Sequence, residues 1–519
     1  MLLGKFIIAA GLLLGAVVQP AFAQQGERPV APTEYGPVRG TVENGIQVFK
    51  GIRYGADTST TRFQPAHEPA KWTEPADATH YGPASPQYTR SHPAFADWEP
   101  ADTSESEDLL FLNVWTPGLD DRQRPVMVWF HGGGFVTGSG SSNVYDGVNL
   151  ATRGDVVVVT VNHRLNAFGY LYLGAFDERF ADSGNVGNLD MVMALEWVRD
   201  NISAFGGDPE RVTIFGQSGG GAKVNTLMAM ESADGLFDRA IVQSGSMLRV
   251  RTTDEAVKTA DAVLKHFNLT RETAADLQKI PAEKLAEALP ALGVSGFGPV
   301  VDGRSLKRHP FDGSVPEISR DIPTLIGFTL EEQALYIPPE SPVYKLDWAG
   351  LQTAFQKEMP ADKADEAIKM YKRLYPEMSA TDIYIIHGSS RFGRGSVIQS
   401  ELKAADGGAP TWLYRVDWQT PVLGGYLRAP HAVELAFTFD NVAKSGSMVG
   451  SGDRQQHMAD QMSEAWIAFA RHGDPNARGL PFWPAFDEQK RSAMIFNDES
   501  KVQQDFFREQ GTFLSSLDD

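Results

Sequence analysis

Two segments of this chain have the residue types and spacing for acyl transfer at a serine. The first is Gly216-Gln217-Ser218-Gly219-Gly220. It follows Arg211-Val212-Thr213-Ile214-Phe215, which reads as a strand, and precedes Gly221 to Met228, which reads as the start of a helix. A G-x-S-x-G pentapeptide between a strand and a helix holds its serine out of the chain on a sharp turn, and the flanking glycines leave room for that turn. A serine hydroxyl is a poor nucleophile at neutral pH, so Ser218 needs a base, an acid to orient that base, and donors for the oxyanion. The second segment is His131-Gly132-Gly133-Gly134-Phe135, directly after the apolar run Pro125 to Phe130. Glycines here let backbone N–H groups approach a developing oxyanion, so Gly133 and Gly134 are donor candidates, joined by Gly219 next to the nucleophile. His131 reads as a structural residue of that loop. Taken singly, each segment could also be a glycine-rich turn with no chemistry, and only their combination argues for a site.

The elements that would hold these residues follow from the periodicity. Gly36 to Tyr54 alternates apolar and polar residues around glycines and predicts a β-meander. Asp57 to Asp108 is rich in Pro, His, Ser and acids and predicts long irregular surface loops. Leu109 to Trp115, Pro125 to Phe130, Asp155 to Val161, Ala240 to Val242 and Pro323 to Ile326 predict strands. The run of valines from Val156 to Val159 suits a strand buried on both faces. Asn188 to Phe205 has helical spacing and stops at Gly206-Gly207. Alternating strands and helices imply an α/β fold with a central, mostly parallel sheet flanked by helices. Asp254 to Leu292 and Asp347 to Gly393 read as helical insertions over the edge of the sheet where ligands enter such folds.

Composition narrows the rest. The chain has 519 residues, 42% of them hydrophobic, and a formal net charge of −19. That charge repels phosphate backbones and argues against a nucleic-acid partner. Cysteine is absent, which excludes thiol nucleophiles, thiolate metal sites and disulfides. Lys5, the apolar stretch Phe6 to Val18 and Pro20-Ala21-Phe22-Ala23 form an export signal, with cleavage expected after Ala23. The apolar stretch is shorter than the ~20 residues that span a bilayer, so no permanent membrane anchor is expected. Residues 1–23 are then a signal peptide and residues 24–519 a single catalytic domain, exported to a periplasm or the medium.

Several motifs in order give a specific resemblance. Phe49-Lys50-Gly51-Ile52-Arg53-Tyr54 is similar to F-x-G-I-P-Y, with Arg53 in place of proline. Ser106 to Val114 resembles S-E-D-C-L-Y-L-N-V, Val161 to Leu165 resembles V-N-Y-R-L, and Asn201 to Ser218 resembles N-I-x-x-F-G-G-D-P-x-x-V-T-I-F-G-x-S. These are motifs of the type-B carboxylesterases, the family of bacterial p-nitrobenzyl esterases and cholinesterases, and the resemblance runs from about Gly36 to about Asn497. It implies the α/β-hydrolase fold, a small-molecule ester substrate, no metal or organic cofactor, and a Ser-Glu-His triad. Gly327 to Glu332 resembles G-x-N-x-D-E, which puts the acid at Glu332. Glu331 stands beside it as a competitor, because Thr329, Glu331 and Gln333 all depart from the family pattern. Ala429 to Leu435 resembles A-x-H-x-x-E-L, which puts the base at His431, with Glu434 structural and Arg428 where a glycine is usual. Activity is expected to rise with pH as His431 becomes neutral. Ser244, in a Q-S-G segment, either supports the acid or caps a following helix.

Two departures bear on the site. The positions of the family's loop disulfide hold Ser85 and Leu109. Trp98, in that loop, sits near the position where cholinesterases carry an aromatic for cationic substrates, and reads either as substrate-lining or as ordinary packing. The same family includes adhesion proteins that have lost a triad member; this chain retains all three.

Overall fold

The computed structural model describes residues 28–88, 92–99, 104–293 and 296–518. The segment with the features of an export signal lies outside the described residues. An 11-stranded sheet forms the centre. Its strands are β1 (Thr41–Glu43), β2 (Ile46–Arg53), β3 (Phe111–Thr116), β4 (Arg124–Phe130), β5 (Val157–Val161), β6 (Gly207–Gln217), β7 (Arg239–Gln243), β8 (Thr324–Thr329), β9 (Thr411–Val416), β10 (Ala493–Phe496) and β11 (Lys501–Gln503). They lie in the order β11-β10-β9-β8-β7-β6-β4-β5-β3-β2-β1. Pairing is parallel from β10 through to β5 and antiparallel at both margins. The α/β architecture and mostly parallel sheet expected from the alternating pattern are present.

Strand burial explains the apolar runs. Along β4, Val126, Val128 and Phe130 enter one core layer, and Met127 and Trp129 enter the other. In β5, Val157, Val159 and Val161 face the first layer and Val158 the second. Successive strand side chains point to opposite faces, so a strand covered on both sides must be apolar at every position.

Five helices matter for the site. They are α1 (Val186–Asn201), α2 (Gly219–Leu227), α3 (Thr253–His266), α4 (Ala282–Leu292) and α5 (Ala380–Asp406). The helix expected over Asn188 to Phe205 divides into α1 and a 3-10 turn, Ile202–Phe205, ended by Gly206 at φ 73°. The insertion carrying α3 and α4 forms its own apolar cluster through Leu264, Leu285 and Leu289. That cluster also takes in Phe135 and Val136 next to the triple glycine. The second insertion brings α5 across the other side, where Phe392 lies 5.2 Å from the His431 ring. Arg53, in the position of a family proline, forms a two-pronged ion pair with Asp108 at 2.5 and 2.8 Å.

Candidate active site

Ser218 sits between β6 and α2 with φ 59° and ψ −125°. A non-glycine residue in this region costs of the order of 1–3 kcal/mol, and the surrounding packing must hold it there. Its N–H donates to the Gln243 carbonyl at 2.8 Å, and its carbonyl accepts from Ala222 at 3.0 Å. The turn is therefore tied to the neighbouring strand and to its own helix. No side chain fits beneath it. A methyl group on Gly219 would run into the Gly134 carbonyl, and one on Gly220 into the Phe130 carbonyl. The first turn of α2 thus lies flush on the loop 131–135. In that loop Gly133 and Gly134 have φ 88° and 66°, conformations that only glycine adopts freely. Gly219 opens α2, where the first N–H groups have no partner within the helix.

The chain ends of β7 and β8 bring Ser244 and Glu332 together. Glu332 is fully buried and starts a 3-10 turn just beyond β8. Its Oε1 accepts from the Thr329 N–H at 2.7 Å and from the Ser244 hydroxyl at 2.6 Å. Its Oε2 accepts a short hydrogen bond from His431 Nδ1. Glu331 turns elsewhere. It accepts from the Ala429 N–H at 3.1 Å and lies 3.7 Å from Arg428, while burial pushes its carboxyl up to about 7. The two adjacent carboxylates therefore do different things: Glu332 meets the imidazole, and Glu331 ties down the loop that carries it. No helix starts after Ser244; its hydroxyl is spent on Glu332.

Arg428 lies in the same loop. It has φ 58°, the left-handed conformation a glycine adopts without cost. Its guanidinium is ion-paired with Asp382, the residue that closes the capping box of α5, and stacks 5.5 Å from the Tyr344 ring. These contacts hold the Arg428 side chain at a left-handed position of the loop. Glu434 is fully buried, and burial first, then the nearby Glu332, push its carboxyl up to about 8. Among the described residues no cluster of three or more His, Asp or Glu could hold a metal ion.

Ser218, Gly133, Gly134, His431 and Trp98 line one cavity of about 600 Å³. Trp98 stacks on Phe95 at 4.6 Å and shares the wall with Tyr145, Phe297 and Tyr336. One contact carries no sequence signal. The amide Nε2 of Gln217 lies 3.2 Å from His431 Nε2, the nitrogen that would face the serine. In this conformation the imidazole is hydrogen-bonded on both sides, by Glu332 and by Gln217.

The model of the carboxylesterase family matches residues 27–514. This chain belongs to the carboxylesterase family. It is 36% identical over 489 residues to the para-nitrobenzyl esterase of Bacillus subtilis, covering 92% of this chain and 96% of the relative. It is 33% identical to the phenmedipham hydrolase of Pseudarthrobacter oxydans, covering 93% and 98%. Among solved structures, a carboxylesterase of Geobacillus stearothermophilus superposes with a TM-score of 0.81 at 38% identity, covering 94% of this chain and all of that one. The carboxylesterase has the α/β-hydrolase fold and is a carboxylic ester hydrolase. No helix among its described residues is long and apolar enough to cross a membrane.

Proposed function

We propose that this carboxylesterase works through Ser218 as nucleophile, His431 as base and Glu332 as the acid that orients it, with Gly133, Gly134 and Gly219 N–H groups as oxyanion donors. His431 Nε2 takes the Ser218 proton as Oγ attacks the ester carbonyl. The tetrahedral oxyanion is held by the glycine donors, and its collapse expels the alcohol, which takes the proton from His431. Water then attacks the acyl-serine with His431 again as base, releasing the acid and restoring Ser218. Glu332 keeps the imidazole in the tautomer whose Nε2 is free to accept, and stabilises its cation. The Gln217 amide must leave Nε2 when substrate enters, and apo hydrogen bonds of catalytic groups commonly rearrange in this way.

The single observation that carries this reading is the His431 Nδ1 to Glu332 Oε2 bond, formed between residues 99 positions apart, with His431 lining the same cavity as the strained serine. The substrate reading is an ester that carries no negative charge and has an aromatic or bulky apolar group. The described lining residues include Trp98, Phe95, Tyr145, Phe135 and Phe297, together with Glu99 and Glu105, but no Lys or Arg. Export with cleavage after Ala23 belongs to the same proposal, on the strength of Lys5, the apolar stretch and the A-x-A site. The mature protein should begin at Gln24 in the exported fraction; a full-length chain retained in the cytoplasm would refute that part. The test of the mechanism is hydrolysis of p-nitrophenyl butyrate by Ser218→Ala. A loss of at least about 10⁴-fold in kcat is expected, and undiminished turnover would rule the mechanism out.

A further inference from the structure

Lys223 is a buried basic group beside the reaction that this mechanism leaves unused. It lies five residues after Ser218 on α2 and is fully buried. Its Nζ donates to the His131 carbonyl at 2.8 Å. The same ammonium lies 5.8 Å from the centre of the Phe135 ring. It therefore touches both ends of the loop that holds Gly133 and Gly134. The rings of His131 and His163 stack at 4.8 Å in the same region. Burial, and then the neighbouring Lys223, push both imidazoles well down, so neither is a cation there at neutral pH.

We propose that Lys223 is a positioning residue for ester cleavage: it pins the oxyanion loop to the helix that carries Ser218, and so fixes where the oxyanion donors stand. This rests on the assignment of Ser218 and the glycine donors above. Close backbone contact between Gly219 and Gly134 sets the distance between helix and loop. A hydrogen bond across that contact stops one sliding along the other. Only Gly132 separates His131 from Gly133, a span of at most ~7 Å, so the hydrogen bond anchors the loop close to its oxyanion donors. Negative charge appears there only as the tetrahedral species forms, so the benefit falls on kcat and not on substrate binding. Burial pulls the ammonium down with no carboxylate to offset it. Burying a lysine amine without a carboxylate partner is a stability cost that packing alone would not select.

The test uses Lys223→Met and Lys223→Gln, with p-nitrophenyl butyrate as substrate and a trifluoromethyl ketone as a mimic of the tetrahedral oxyanion. In Lys223→Met, kcat is expected to fall about 10- to 100-fold with KM within about twofold, ketone affinity to fall in parallel, and Tm to hold or rise. Lys223→Gln, which keeps an N–H donor, should recover part of the loss. Three results would overturn the proposal: kcat within twofold of wild type; kcat and Tm falling together with ketone affinity unchanged; or failure of both variants to fold, which would make Lys223 a residue of the fold. Full hydrolysis by Ser218→Ala would instead remove the esterase mechanism itself. An inactive Ser218→Ala beside a fully active Lys223→Met removes only this inference.

Discussion

Ser244 donates its hydroxyl proton to Glu332 Oε1 at 2.6 Å, while His431 Nδ1 takes the other oxygen of the same carboxylate. Glu332 is thereby held by a neighbour at the end of β7, by its own backbone at Thr329 and by the imidazole. A carboxylate with three donors has little freedom to swing, and its orientation fixes that of His431.

The adjacent glutamates should separate cleanly by mutation. Glu332→Gln is expected to lower kcat by about 10³- to 10⁴-fold, because a neutral amide neither fixes the tautomer nor stabilises the imidazolium. Glu331→Gln should stay within about tenfold, since the Glu331 carboxyl is held by Ala429, Gln419 and Arg428 while the imidazole is held by Glu332. Steady-state kinetics on an ester substrate checks both, and the reverse order of effects would contradict the assignment.

Ser244→Ala removes one of the three donors and leaves the rest. The expected loss in kcat is about 3- to 30-fold, with a stability change of about 1 kcal/mol. An effect as large as that of Glu332→Gln would mean that Ser244 does more than support the acid.

Much of this site is legible in the chain because it depends on local geometry. Strand, turn and helix around Ser218 follow from Arg211 to Met228, and the triple glycine follows directly from β4. The choice between Glu331 and Glu332 is not legible from local residues. It depends on which carboxylate the 3-10 turn aims at a loop 99 residues further on. The Gln217 contact with His431 is invisible for the same reason. Lys223 hides because a lysine in a helix normally reads as solvent-facing. Thr411–Val416 is a fully buried strand that carries a charge in its apolar run. Its Arg415 breaks the apolar pattern and is neutralised by Asp417 at 2.6 Å, a pairing that sequence alone does not reveal.

Glu331 and Glu434 make stability depend on pH. Their folded carboxyls are raised to about 7 and about 8 from 4.5. The folded protein therefore holds protons that the unfolded chain has already released. Stability should fall as pH rises from about 4.5 and level off above about 8, each tenfold difference in proton affinity being worth about 1.4 kcal/mol at most. Glu434→Gln should raise Tm relative to wild type at about pH 8.5 and leave it nearly unchanged at about pH 4.5. Thermal melts across that range check this, and a constant difference would contradict it.

Trp98 should set selectivity more than rate. It is buried, stacks on Phe95 and faces the same cavity as Ser218. Trp98→Phe preserves most of the packing while shortening the wall. The ratio of kcat/KM for a p-nitrobenzyl ester over a methyl ester is expected to fall about 3- to 10-fold. An unchanged ratio would assign Trp98 to loop packing alone.

The central claim is that Ser218 accepts the acyl group. The most direct measurement is intact-mass and peptide mapping after reaction with a fluorophosphonate, which traps the attacking oxygen. The account predicts a single adduct on the peptide containing Ser218 and none in Ser218→Ala. A label on another residue, or an unlabelled enzyme that still hydrolyses esters, would contradict it.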